Sequence, residues 1–144
     1  MTMPALRHRT VMLIWLLLLA TSMSGARAAD GVVVIGHPSV KRLDATIVTR
    51  IYTGRVIEVD GVSITAINAP TGTSIRNRFL QVFLNQDEDK YTAYWTVRRY
   101  IGKGAPPREM SKSGDIIRFV TSTPGAIGYI EESELQPGLN VLLR

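Results

Sequence analysis

The residues best suited to chemistry are Thr71, Gly72, Thr73 and Ser74, with Arg76 two positions further on. A β-type run, Ser63 to Ile67, leads into them, and Ile75 and Phe79 open a helical pattern behind them. This is a strand, a turn and the start of a helix. The first amides of a helix have no intrahelical partner, and the helix dipole makes that end slightly positive. Three hydroxyls add donors, Gly72 lets a ligand approach the backbone, and Arg76 brings charge on the first turn. Such a combination suits an oxyanion such as phosphate or sulfate. The same residues would also serve as an ordinary N-cap, with a Thr or Ser satisfying its own helix.

Other chemistries lack their residues. The chain has no cysteine, and beyond residue 28 a single histidine, His37, beside Pro38. A zinc site or a Ser-His-Asp arrangement would have to be built on that one side chain. Gly102-Lys103-Gly104 has the wrong spacing for a phosphate-binding loop and no Ser or Thr after the lysine. Asp87, Glu88 and Asp89 are consecutive, so they point in different directions and cannot pair as acid and base. Nothing here nominates an enzyme, a metal or a cofactor.

The N-terminus reads as an address. Arg7, His8 and Arg9 precede the unbroken apolar run Val11 to Ala20, and Ala26-Arg27-Ala28 has the small-residue pattern of a cleavage site. Residues 1–28 therefore read as a secretory signal peptide. The apolar run is about half of what a membrane span needs. Residues 29–144 suffice for one compact domain. They hold 14 of the 17 basic residues and all 12 acidic ones, a net charge of +2. That charge, with no basic run interleaved with aromatics, does not point to nucleic acid. Export without cysteine leaves stability to an ordinary core.

The elements that must position the turn follow from pattern. Gly31 to Gly36 is a continuous β-branched run, the habit of a strand buried on both faces. Leu43, Ile47, Val48 and Ile51 recur at helical spacing between an Asp44 cap and a Gly54 stop. Val56 to Val59 is a short extended piece, Asp60-Gly61 a turn, and Val62 to Ile67 a strand. Ile75, Phe79, Leu80 and Phe83 give the next helix one apolar face, and Asn85 stops it. Asp87 to Asp89 open a helix with Tyr91, Tyr94, Trp95, Arg98 and Ile101 on one side, an aromatic face to pack on the sheet. Ser113 caps a helix carrying Ile116, Ile117, Phe119 and Val120. Ala126 to Ile130 is a strand, Glu131, Glu132 and Glu134 a solvated edge, and Leu139 to Leu143 a last strand. The expected fold is α/β, three layers around a mostly parallel sheet.

Three segments carry a resemblance. Leu43-Asp44 with Ile51-Tyr52-Thr53-Gly54-Arg55-Val56 is similar to a helix-end motif of periplasmic phosphate-binding proteins of the PstS type. Asn68 to Phe79 lies where that family has an Arg-x-Asp-Gly-Ser-Gly-Thr turn. Ser122 to Ile130, which reads STPGAIGYI, resembles its TPGAIGY strand closely. The segments occur in the family's order. Trp95 and the run Tyr100 to Pro107 also look like features of short PstS-like domains. The chain is thus identified as a short, single-lobe relative of these type 2 periplasmic-binding-protein-like domains.

The resemblance implies a periplasmic protein that captures phosphate or a related oxyanion for ABC-type uptake or sensing. It implies an ABC permease or an envelope sensor as partner, and anion contacts at Thr71, Gly72 and Thr73, with Ser74 adjacent. The family's arginine, however, falls on Asn68 and its acid on Pro70, which leaves Arg76 or Arg78 to supply charge. The family closes two lobes on its ligand, and this chain has room for one. Weak binding is therefore expected unless a second protein or a second copy completes the cleft. The alternative is a single-lobe interaction module that keeps the fold, has lost tight ligand binding and serves another envelope protein.

Overall fold

The computed structural model describes residues 31–144, so the signal-peptide reading of residues 1–28 lies outside the described residues. Strand β1 (Val32–Gly36) is buried throughout. Helix α1 (Ala45–Tyr52) starts at Asp44, whose carboxylate accepts the Ile47 amide at 2.8 Å. Then come β2 (Glu58–Val59), β3 (Val62–Ser63) and β4 (Thr65–Asn68). Helix α2 (Ser74–Phe79) runs into a π-helical turn, Leu80–Leu84, closed by Asn85 in the left-handed conformation. Helix α3 (Glu88–Tyr100), β5 (Arg108–Glu109), α4 (Ser113–Ser122) and β6 (Ala126–Glu131) follow, and a 3-10 turn, Glu132–Glu134, leads to β7 (Asn140–Leu143).

The main sheet has the order β5-β4-β6-β1-β7. β4 pairs in parallel with β5 and β6, while β1 is antiparallel to both β6 and β7. Four of the five strands therefore run the same way and β1 opposes them, which gives the mostly parallel sheet expected. Alternate residues serve opposite layers. Val32, Val34, Ile127 and Tyr129 join the core beneath α1, α2 and α3. Val33, Ile35, Ala126 and Ile130 face α4 through Ile116 and Val120. Both faces are covered, so the central strands carry near-continuous apolar runs.

Several expectations change. The strand expected over Val62 to Ile67 is split at Ile64. β3 pairs with β2 in a hairpin, whereas Thr65 donates to the Gly125 carbonyl at 3.0 Å and joins the main sheet. Gly125 packs so tightly that a Cβ there would lie 1.9 Å from the Ser63 carbonyl oxygen. The acidic stretch is not a solvated edge: Glu131 ends β6 and pairs with Arg78, and Glu131 and Glu134 form a capping box. Ser113 does not cap α4; Lys112 holds that position, and the Ser113 hydroxyl donates to Glu134 at 2.6 Å. Ile101 is 54% exposed rather than part of the buried face of α3. That face closes the end of α1. Tyr91, Tyr94 and Arg98 donate to the Tyr52, Thr53 and Gly54 carbonyls at 2.8, 2.8 and 3.1 Å, satisfying groups that a helix C-terminus leaves open.

Candidate functional site

The turn after β4 rests on a buried polar knot. Asn68 is buried, and its Oδ1 accepts from the Tyr129 hydroxyl at 2.6 Å while its Nδ2 donates to the Tyr91 hydroxyl at 3.3 Å. The Ala69 amide donates to the Tyr129 oxygen at 2.9 Å, and the Tyr52 hydroxyl donates to the Ile67 carbonyl at 2.9 Å. Phe79 stacks flat on Tyr129 at 3.9 Å, tying α2 to the sheet. Burial raises the pKa of all three tyrosines, that of Tyr91 to about 12. Asn68 is thus turned inward to hold the end of β4, and it takes no part in the surface above.

Above the knot, the Thr73 amide and hydroxyl both donate to the Pro70 carbonyl, at 3.2 and 2.7 Å. The Thr73 side chain is therefore folded back, and no side chain caps the start of α2. Thr71, Gly72 and Ser74 are exposed, with Gly72 at φ 83°. These features leave the helix start open to solvent.

Arg76 points elsewhere. It is buried, and its Nε and Nη2 donate to the two Glu88 oxygens at 2.7 Å each. Its Nη1 donates to Glu109 Oε1 at 2.6 Å and to the Ala69 carbonyl at 3.0 Å. Burial would lower its pKa, but the bonds and charge of Glu88, with a bond to Glu109, outweigh this and raise it. The guanidinium also lies 5.5 Å over the Tyr91 ring. Thr71 shares the same acid, its hydroxyl donating to Glu109 Oε1 at 3.0 Å. A cleft of about 170 Å³ opens here, with Thr71, Arg76 and Glu109 on one side and Thr92, Thr96 and Arg99 of α3 on the other. Arg78 is engaged with Glu131. Among the described residues, no group of three or more His, Cys, Asp or Glu could hold a metal ion, and no helix is long and apolar enough to cross a membrane.

The structure thus brings Thr71 and Arg76 onto one carboxylate and leaves Gly72, Thr73 and Ser74 around the open helix start. Glu88 and Glu109 are the residues that sequence reasoning missed. Glu88 reads as one more acid of a first helical turn, and Glu109 lies in a stretch with no apolar pattern. A buried Arg must find acids, which is the one signal that could have pointed to them.

No protein-family model matches the chain, and no curated protein matches it. Solved structures do share its fold. An ABC-type phosphate transport receptor from Vibrio cholerae is 13% identical, with a TM-score of 0.60 over 79% of this chain and 46% of that one. A phosphate ABC transporter substrate-binding protein from Clostridium perfringens, solved with bound phosphate, is 21% identical, with a TM-score of 0.61 over 79% and 44%. PstS from Borrelia burgdorferi is 17% identical, with a TM-score of 0.58 over 80% and 47%. The chain thus shares the fold of these PstS-type proteins and spans a little under half the length of each. These neighbours are binding proteins rather than enzymes.

Proposed function

We propose that the protein is a phosphate-class oxyanion-binding protein of the cell envelope, exported by residues 1–28 and acting with an ABC-type uptake or sensing system. The observation that carries this reading is the open start of α2, at the carboxyl end of a parallel strand and without a side-chain cap. α/β sheets take ligands at that end. The ligand contacts are the amides of Gly72 and Ser74 and the hydroxyls of Thr71 and Ser74, with Arg76 as the charge behind them, while Thr73 shapes the turn through the Pro70 carbonyl. The fold shared with phosphate-binding proteins supports the ligand class. Binding by this site alone is weak, because one face of the anion stays in water. A permease, a sensor or a second copy covers that face.

The test is titration of the folded protein with inorganic phosphate, followed by calorimetry and by the amide NMR signals of Gly72 to Arg76. Saturable shifts at those amides in the millimolar range are expected. A folded sample with neither heat nor shifts there would overturn the reading.

A second reading has its own support. Arg76 is already spent on two carboxylates, and Asn68 is buried in the tyrosine knot. A module that has kept the fold and lost the ligand, docking on another envelope protein, would look like this. The same titration separates the two.

A further inference from the structure

Glu109 stands on β5, a two-residue edge strand whose register sets Glu109 beside Asn68, the last residue of β4. The Met110 amide fixes that register by donating to the Asn68 carbonyl at 2.9 Å. Glu109 is thereby held over the turn that follows β4. A single oxygen, Oε1, accepts from the Arg76 guanidinium at 2.6 Å and from the Thr71 hydroxyl at 3.0 Å. These are two of the side-chain donors assigned above to an oxyanion at this turn. One carboxylate oxygen thus takes both donors.

Charge balance does not call for this second acid. Glu88 already meets Arg76 with two bonds of 2.7 Å, the paired geometry that best satisfies a guanidinium, and Thr92 holds Glu88 from α3 at 3.0 Å. With Glu109 added, the Arg76 guanidinium faces two carboxylates, and the other cation lining the cleft, Arg99, stands on α3. The two acids also differ in freedom. The Glu88 side chain is 19% exposed and the Glu109 side chain 43%, so Glu109 can turn out into water while Glu88 stays.

We propose that Glu109 is an internal stand-in for the oxyanion, an autoinhibitory carboxylate that must leave Arg76 and Thr71 before phosphate can take them. The proposal rests on the reading of the α2 start as an oxyanion site. Glu88 is then the permanent partner that orients Arg76, and Glu109 the one that exchanges with ligand. A charged hydrogen bond is strong enough to change affinity at least tenfold, so the effect is measurable.

The experiment titrates inorganic phosphate into the unaltered protein, E109A, E109Q and E88Q, with NMR dispersion as the check of folding. E109A should bind about tenfold tighter or more. E109Q, which keeps an acceptor oxygen without the charge, should lie between E109A and the unaltered protein. E88Q should bind no tighter, because it loosens the arginine itself. If the unaltered protein binds and E109A and E109Q bind no tighter, Glu109 is mere charge compensation, the proposal fails and the oxyanion site stands. If neither the unaltered protein nor any folded Glu109 variant binds, the site and the proposal fall together. Should E109A not fold, the isosteric E109Q decides on the same criterion.

Discussion

Helices α1 and α3 begin in one way, and α2 and α4 in another. Asp44 and Asp87 each accept an amide of their own helix at 2.8 Å, from Ile47 and Lys90. Thr73 and Lys112 hold the same position for α2 and α4, and neither gives its helix a side-chain cap. The difference follows the sheet. α2 and α4 leave the carboxyl ends of β4 and β5, which run in parallel, whereas α1 follows β1, the strand that runs against the rest. Helices that only build the scaffold close their own ends. The two that open at the carboxyl end of the parallel strands have no side-chain cap on their first amides. At α4 the nearby Ser113 hydroxyl is engaged by Glu134, and at α2 the Thr71 and Thr73 hydroxyls are engaged by Glu109 and the Pro70 carbonyl.

If α2 is not held by a cap, something else must hold it, and the structure points to Arg76. Replacing Arg76 with Met should cost about 3 kcal/mol, the lower end of what is lost when one partner of a buried ion pair is removed, because Glu109 can reach water and Glu88 only partly. Denaturant unfolding would measure it. A loss below about 1 kcal/mol would mean that the knot beneath holds the turn unaided. The double variant R76M/E88Q should lose less than the two single losses added, since it removes the orphaned charge as well.

The sequence announced one side of this comparison better than the other. Asp44 and Asp87 each precede a periodic apolar or aromatic stretch, so both helices and the Asp44 cap were legible, as were β1 and β6 from their buried runs, while Asp87 read only as one of three acids opening its helix. β5 was not, because Arg108 and Glu109 are both exposed and become a strand only by pairing with β4. The break at Ile64 was hidden too, since it depends on how closely Gly125 approaches Ser63. At the site, spacing put Arg76 on the first turn of α2 correctly. The acids it meets lie 12 and 33 positions away, and only the packing of α3 and β5 brings them there. Asn68 stands where the resemblance puts an arginine, but its inward direction depends on Tyr91 and Tyr129, which lie far along the chain.

The tyrosine knot under α2 makes a pH prediction. Burial raises the folded-state pKa of Tyr52, Tyr91 and Tyr129 above the unfolded value of about 10. The neutral form is therefore favoured by folding. The stability this contributes is fully present below pH 10 and is lost as pH climbs through about 12, where Tyr91 titrates in the fold. Melting temperature should be flat from pH 8 to about 9.5 and fall steeply above it. Tyr129→Phe should flatten the fall and cost about 1–3 kcal/mol at neutral pH, because the Ala69 amide and the Asn68 oxygen lose their partner. A melting curve insensitive to alkali in the unaltered protein would remove the knot from the account.

The smallest effects concern the caps themselves. Asp44→Ala and Asp87→Ala should each cost about 1 kcal/mol, the usual worth of an N-cap carboxylate. Thr73→Asp is the informative counterpart. The Thr73 backbone already has the extended shape of a capping residue, at φ −78° and ψ 147°, so an aspartate there can accept an amide of α2. It would also set a negative charge against the positive end of the helix. Stability should rise by about 0.5–1 kcal/mol. Phosphate binding should vanish, since the new carboxylate takes the amides that the anion needs and repels the anion as well. If α2 were an ordinary helix start with no ligand, the same substitution would stabilise the protein and change nothing else. A Thr73→Asp protein that is more stable and still shifts at Gly72 to Arg76 with phosphate would put the anion somewhere other than the start of α2.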